Sequence, residues 1–169
     1  GTSYELNEKT SEAIILILMS ASGFFLMVDA ENLIMLFIGL EIGSISLYAL
    51  AGLNRRDKLS NEASLKYFLL GSLASCIFIY GVALVYVSYS LMSVYDFALA
   101  IAYTGPDLIP LTTFIGVLLI FVGLLFKIAA APFQSWAPDV YQGSPTGYVG
   151  YMASIVKAAS FIVIARICM

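Results

Sequence analysis

Three ionisable side chains interrupt otherwise apolar sequence, and their types are those that hold and release protons. Glu41 stands in Leu36-Phe37-Ile38-Gly39-Leu40-Glu41-Ile42-Gly43-Ser44. Lys127 stands in Leu124-Leu125-Phe126-Lys127-Ile128-Ala129, and Lys157 in Ser154-Ile155-Val156-Lys157-Ala158-Ala159. If these runs cross a bilayer, each charge at a helix centre costs roughly 2.5–3.5 kcal/mol on insertion, and a Leu recovers only ~0.3–0.6 kcal/mol. One carboxylate cannot neutralise two ammoniums, and burial disfavours whichever charge is left unpaired. Two readings follow. The charges form a buried Glu–Lys bridge that fixes helix register, or they line a path along which protons pass between carboxylate and amine. The small residues Gly39, Gly43, Ser44 and Ser46 leave room around Glu41 for a neighbouring backbone or for water.

Lys66 follows Glu62 by four residues. That spacing suits an ion pair on one helix face near its polar end, and equally a place in the relay. Arg166 reads as an interfacial anchor. Pro132 follows Lys127 by five residues; it has no amide hydrogen and clashes with the turn before it. The helix carrying Lys127 is therefore either broken within the membrane or ended at its surface. Broken membrane helices beside ionisable residues recur in transporters, where the helix ends supply ion-binding dipoles. The chain has no histidine, which removes Ser–His and histidine-metal chemistry. Its two cysteines are far apart, and there is no phosphate loop or dinucleotide fingerprint. No metal site and no cofactor site are expected in this chain.

The elements that position these groups follow from composition. Of 169 residues, 61% are hydrophobic and 11% charged, against ~45–50% and ~25% in soluble domains. A soluble domain this small has too much surface to hide so much apolar material. Two cysteines exclude a disulfide scaffold, and the hydrophobicity excludes disorder. A net charge of −3 without a basic stripe speaks against nucleic acid as a partner. The remaining class is an integral membrane protein with lipid as its surroundings.

A helix rises 1.5 Å per residue, so crossing ~30 Å of hydrocarbon takes ~20 apolar residues. Five segments qualify: residues 13–28, 33–53, 62–90, 108–131 and 148–167. The runs are continuous rather than alternating, which excludes a β-barrel. The reading is an all-α, polytopic transmembrane bundle of five helices, one of them broken or ended near Lys127/Pro132. Residues 13–169 form a single membrane domain after a polar extramembrane segment, residues 1–12. The basic loop Asn54-Arg55-Arg56-Asp57-Lys58 is expected on the cytoplasmic side. Residues 29–32 and 92–107 then lie opposite, the latter as an ordinary extramembrane connection, and residues 132–146 return to the cytoplasmic side. A start without Met, and an end without a polar tail, read as an internal piece of a longer protein.

Four motifs, in this order, resemble a known pattern. They are Phe37-Ile38-Gly39-Leu40-Glu41, Glu62-Ala63-Ser64-Leu65-Lys66-Tyr67-Phe68-Leu69-Leu70-Gly71, the stretch from Phe126-Lys127 through Pro138-Asp139-Val140-Tyr141-Gln142-Gly143 to Thr146, and Val156-Lys157-Ala158-Ala159. Together they are similar to the antiporter-like membrane subunits of respiratory complex I. That family's fold contains two inverted five-helix repeats, each with one broken helix. The resemblance implies that this chain is the first repeat, with Lys127 on the broken helix. It further implies that Glu41 is the family's key glutamate, Lys127 the lysine at the break, and Lys157 the lysine that passes protons to the centre. Lys66 matches a lysine at the start of the intervening helix.

The implied activity is proton translocation coupled to electron transfer from NADH to quinone, in the bacterial inner membrane. The implied partners are other membrane subunits of complex I and the lipid bilayer. NADH, FMN, iron–sulfur clusters and quinone would be held by other subunits. Gln134 stands where the family usually has histidine; it can hydrogen-bond but cannot titrate. Gly147 stands where proline or alanine is more usual, and the second repeat is absent. Multisubunit cation/proton antiporters and membrane-bound hydrogenases share this architecture, so either is an alternative. A structural subunit with register-setting salt bridges is another.

Overall fold

The computed structural model describes residues 2–105 and 108–168. Among these, α1 spans Thr2–Asp29, α2 Leu33–Ala51, α3 Lys58–Tyr89 and α4 Val94–Thr104. They are followed by α5 (Leu111–Lys127), α6 (Trp136–Gly143) and α7 (Thr146–Cys168). The helical segment Lys9–Asp29 and the whole of α2, α3 and α7 are long and apolar enough to cross a membrane. The apolar helix α5 is shorter, at 17 residues. With the 3₁₀ turn Phe133–Ser135 and α6, it makes up the broken helix. The architecture is the all-α bundle that the hydropathy pattern predicts, with the interruption after Lys127 that the family resemblance implies.

Local chemistry sets the helix boundaries. Residues 2–12 contain neither Pro nor Gly, so α1 extends as helix well ahead of its apolar run. Asn32 caps α2, its side chain accepting from the Ile34 amide at 2.8 Å. Asp57 caps α3 through the Leu59 amide at 3.0 Å, which starts that helix one turn before the apolar run. Of the connection expected over residues 92–107, residues 106 and 107 lie outside the described residues, and residues 92–105 differ from a plain connection. Ser93 accepts from the Asp96 amide at 3.2 Å and starts α4, whose sequence has no breaker before Gly105. The two connections expected on one side do meet: Leu33 donates to the Met92 carbonyl, and Val94 to the Glu31 carbonyl, both at 2.9 Å.

The interruption after α5 begins before Pro132. Ala129 takes a left-handed conformation, φ 55°. Its amide donates to the Phe126 carbonyl at 3.0 Å, and the Ala130 amide to the Leu125 carbonyl at 3.0 Å. This is the paired C-terminal cap usually built on glycine, here made with alanine. Pro132 then prevents any resumption of the same helix. The Phe126 carbonyl also accepts from the Trp136 indole at 3.3 Å, tying α6 back to the end of α5.

Helices α1 and α2 approach backbone to backbone. A Cβ on Gly39 would lie 2.8 Å from the Met27 Cα, so no larger residue fits without parting the helices. The pair α3 and α5 is built the same way, around Gly81 and Gly116. α2 also packs on α3, α6 covers α3, and α7 closes the bundle against α1, α5 and α2. Leu40, Leu47, Phe78, Leu124 and Val156 form the core between them, all at most 3% exposed.

Candidate functional site

Lys127 is the last residue of α5 and is 3% exposed. Its position at a helix C-terminus puts the ammonium near the negative end of the helix dipole. Three oxygens lie within hydrogen-bond reach of its Nζ: Tyr48 Oη at 3.0 Å, Ser44 Oγ at 3.2 Å and Ser75 Oγ at 3.4 Å. A lysine ammonium has three hydrogens to donate, and each has an acceptor here. All three acceptors are neutral hydroxyls, so they solvate the charge without cancelling it. The ammonium also lies 5.6 Å from the centre of the Tyr48 ring.

The compensating carboxylate is one hydroxyl away. Glu41, half-buried on α2, accepts a hydrogen bond from Ser75, which stands on α3. Ser75 therefore touches both charged groups, and the direct Glu41–Lys127 bridge considered from sequence is replaced by a three-residue chain. Helical geometry explains the grouping. Ser44 and Tyr48 follow Glu41 by three and seven residues, so all three share one face of α2. Gly71, one turn before Ser75, leaves the space that the Tyr48 hydroxyl fills.

Aromatic rings wall this cage. Tyr67 meets Tyr48 edge-on at 4.6 Å and stacks on Trp136 at 4.9 Å, and Trp136 stacks on Phe126 at 5.5 Å. Tyr48, Tyr67 and Trp136 are each 4% exposed. The rings fix the Tyr48 hydroxyl in place and keep the ammonium from bulk water.

The other residues singled out from sequence lie elsewhere. Lys66 is bonded to Glu62 at 2.7 Å, the pair expected from spacing, and to Asp139 of α6 at 2.8 Å. Lys157 is half-buried on α7 and has no hydrogen bond or ion pair among the described residues. Arg166 donates to the Val28 carbonyl at the opposite end of the bundle. Gln134 is exposed in the 3₁₀ turn. Among the described residues there is no group of His, Cys, Asp and Glu that could hold a metal. Sequence reasoning brought Glu41 and Lys127 together but missed the contacts of Tyr48, Ser75 and Asp139. For Tyr48 a signal existed, its helical phase with Glu41; Ser75 and Asp139 approach through tertiary packing.

An apolar helical bundle with one interrupted helix and a lysine buried beside the interruption is the architecture of an integral membrane protein. Residues 30–169 match the model of the NADH:quinone oxidoreductase/Mrp antiporter transmembrane family, and the chain belongs to that family. NADH-quinone oxidoreductase subunit N 1 of Chloroherpeton thalassium is 48% identical over 149 residues, 88% of this chain and 31% of that protein. Subunit N of Bdellovibrio bacteriovorus is 43% identical over 160 residues, 93% of this chain and 32% of that protein. The chain thus spans about a third of the length of the curated relatives it matches. Respiratory complex I from Thermus thermophilus contains a chain of the same fold: TM-score 0.79, 41% identity, 92% of this chain and 34% of that one. A membrane-bound sulfane sulfur reductase, an archaeal respiratory complex, is also similar: TM-score 0.78, 32% identity, 92% of this chain and 30% of that one.

Proposed function

We propose that this chain is a proton-translocating repeat of a membrane subunit of NADH:quinone oxidoreductase, respiratory complex I. The observation that carries the reading is the buried Lys127 ammonium, held by neutral hydroxyls and joined to Glu41 through Ser75. A charge so placed is stable only while its counter-charge is near. A rearrangement elsewhere in the complex that weakens the attraction of Glu41 drives Lys127 to release its proton. The proton then passes by water towards Lys157, which has no hydrogen bond or ion pair among the described residues to hold it back. Lys66, with Glu62 and Asp139, serves the end of the route at the basic loop. Moving one charge against 100 mV requires ~2.3 kcal/mol, within the several kcal/mol at stake in a desolvated ion pair.

In this reading the chain is part of a translocase with no redox centre of its own. Its partners are the other membrane subunits and the lipid of a bacterial inner membrane, with the basic loop on the cytoplasmic face. NADH, FMN, iron–sulfur clusters and quinone belong to neighbouring subunits. The family name also covers cation/proton antiporters, and the sulfane sulfur reductase chain matches nearly as well in fold. The higher identity to the complex I chain favours the first reading. Purification of the full-length protein with its partners decides between them. NADH-driven proton uptake into proteoliposomes in sodium-free buffer is the expected result. Uptake that requires sodium and no NADH would establish the antiporter instead.

A further inference from the structure

We propose that the Ser75 hydroxyl is the proton bridge between Lys127 and Glu41, a role that rests on the relay above. Ser75 is 5% exposed, so little of its hydroxyl is open to competing solvent. Its oxygen accepts from Lys127 Nζ at 3.4 Å. Its single hydrogen has two acceptors in reach: Glu41 Oε1, and the Gly71 carbonyl one turn back at 3.0 Å. One hydrogen serves one of them at a time. With Glu41 ionised the carboxylate wins, because hydrogen bonds to charged acceptors are about twice as strong as neutral ones.

The connected state is then N–H of Lys127, O–H of Ser75, carboxylate of Glu41. In transfer, an N–H bond of Lys127 breaks as an O–H bond forms on Ser75. At the same time the original Ser75 O–H bond breaks and a new one forms on Glu41. The products are a neutral amine and a neutral carboxylic acid; Ser75 ends as it began, no electron changes hands, and the reverse step returns the proton to Lys127, from which the relay carries it towards Lys157. With Glu41 protonated, its acid hydrogen points at Ser75 Oγ, and the Ser75 hydrogen turns to the Gly71 carbonyl. Ser44 and Tyr48 cannot substitute, since each bonds Lys127 without bonding Glu41. A direct ion pair would trade protons whenever it formed, whereas a hydroxyl rotor transmits only in one orientation.

The test uses the full-length protein in its complete complex in proteoliposomes, with NADH oxidation and proton uptake measured together. Ser75→Ala leaves Lys127 two hydroxyl partners and removes the bridge; uptake is expected to fall at least ~100-fold, the low end of what a positioned proton-transfer group contributes. Ser75→Thr restores the hydroxyl and is expected to pump close to wild type. Ser75→Cys keeps the size, offers a poor donor, and is expected to behave like Ala. An assembled Ser75→Ala complex pumping at the wild-type rate overturns the bridge; if Lys127→Ala is inactive in the same assay, the relay itself stands. If both variants pump at full rate, the relay falls too. Equal loss in the Ala and Thr variants also overturns the bridge, because it marks a position sensitive to shape rather than to the hydroxyl. If Ser75→Ala does not assemble, Ser75→Cys decides: wild-type pumping overturns the proposal, and loss supports it.

Discussion

Lys66 and Asp139 are 73 residues apart in sequence and 2.8 Å apart in space, where α6 meets the first turns of α3. Both side chains are about half exposed, and Glu62 holds the same ammonium at 2.7 Å. Exposed pairs are screened by solvent and contribute little to stability. Asp139→Asn is therefore expected to leave the thermal-shift midpoint of the assembled subunit unchanged within error. If Lys66 serves the relay, Lys66→Ala slows NADH-driven proton uptake, and by less than Lys127→Ala does. A stability loss in Asp139→Asn would show instead that the contact is a structural latch.

Tyr48 supports Lys127 with a hydroxyl and with a ring face. Tyr48→Phe keeps the ring against Tyr67 and removes the 3.0 Å hydrogen bond. Losing a hydrogen bond to a charged group costs about 1.5–3 kcal/mol, and one ammonium hydrogen is left without an acceptor. The assembled subunit is expected to lose stability on that scale, and proton uptake to slow. Chemical denaturation in detergent, beside the uptake assay, checks both. Wild-type behaviour in both would show that Ser44 and Ser75 suffice to hold the ammonium.

Gly39 and Gly147 separate a glycine required by packing from one that is not. A Cβ on Gly39 meets the Met27 backbone of α1 at 2.8 Å, while nothing lies within 4 Å of one on Gly147. Gly39→Ala is expected to destabilise the α1–α2 pair by about 1–3 kcal/mol, the range for forcing extra volume into a packed contact. Gly147→Ala, at the start of α7, is expected to be neutral or stabilising by about 0.4–1 kcal/mol. Denaturation midpoints of the two variants, measured side by side, should fall on opposite sides of the wild type or differ clearly.

The sequence made the bundle legible because membrane helices leave a continuous apolar signal, and because Glu41 and Lys127 are conspicuous within it. The boundaries were less legible. α4 was hidden by its amphipathic, aromatic composition, which reads equally well as a loop until the Ser93 cap is seen. The interruption at Ala129 carries no glycine to announce it; Pro132 marks its neighbourhood but not its first residue. Ser75 is one serine among many in sequence, and only the packing of α3 against α2 and α5 turns it towards both charges. Asp139 lies within the motif Pro138–Gly143, yet its contact with Lys66 depends on how α6 folds back after the interruption.

The account turns on Lys127 as a charge that is gained and lost during turnover. The most direct measurement is NADH-driven proton uptake by proteoliposomes containing the complete complex with Lys127→Ala, with assembly verified by subunit content. Uptake is predicted to be abolished or nearly so, and Glu41→Gln to depress it in the same direction. A Lys127→Ala complex that acidifies the lumen at the wild-type rate, with the same number of protons per NADH, would contradict the account.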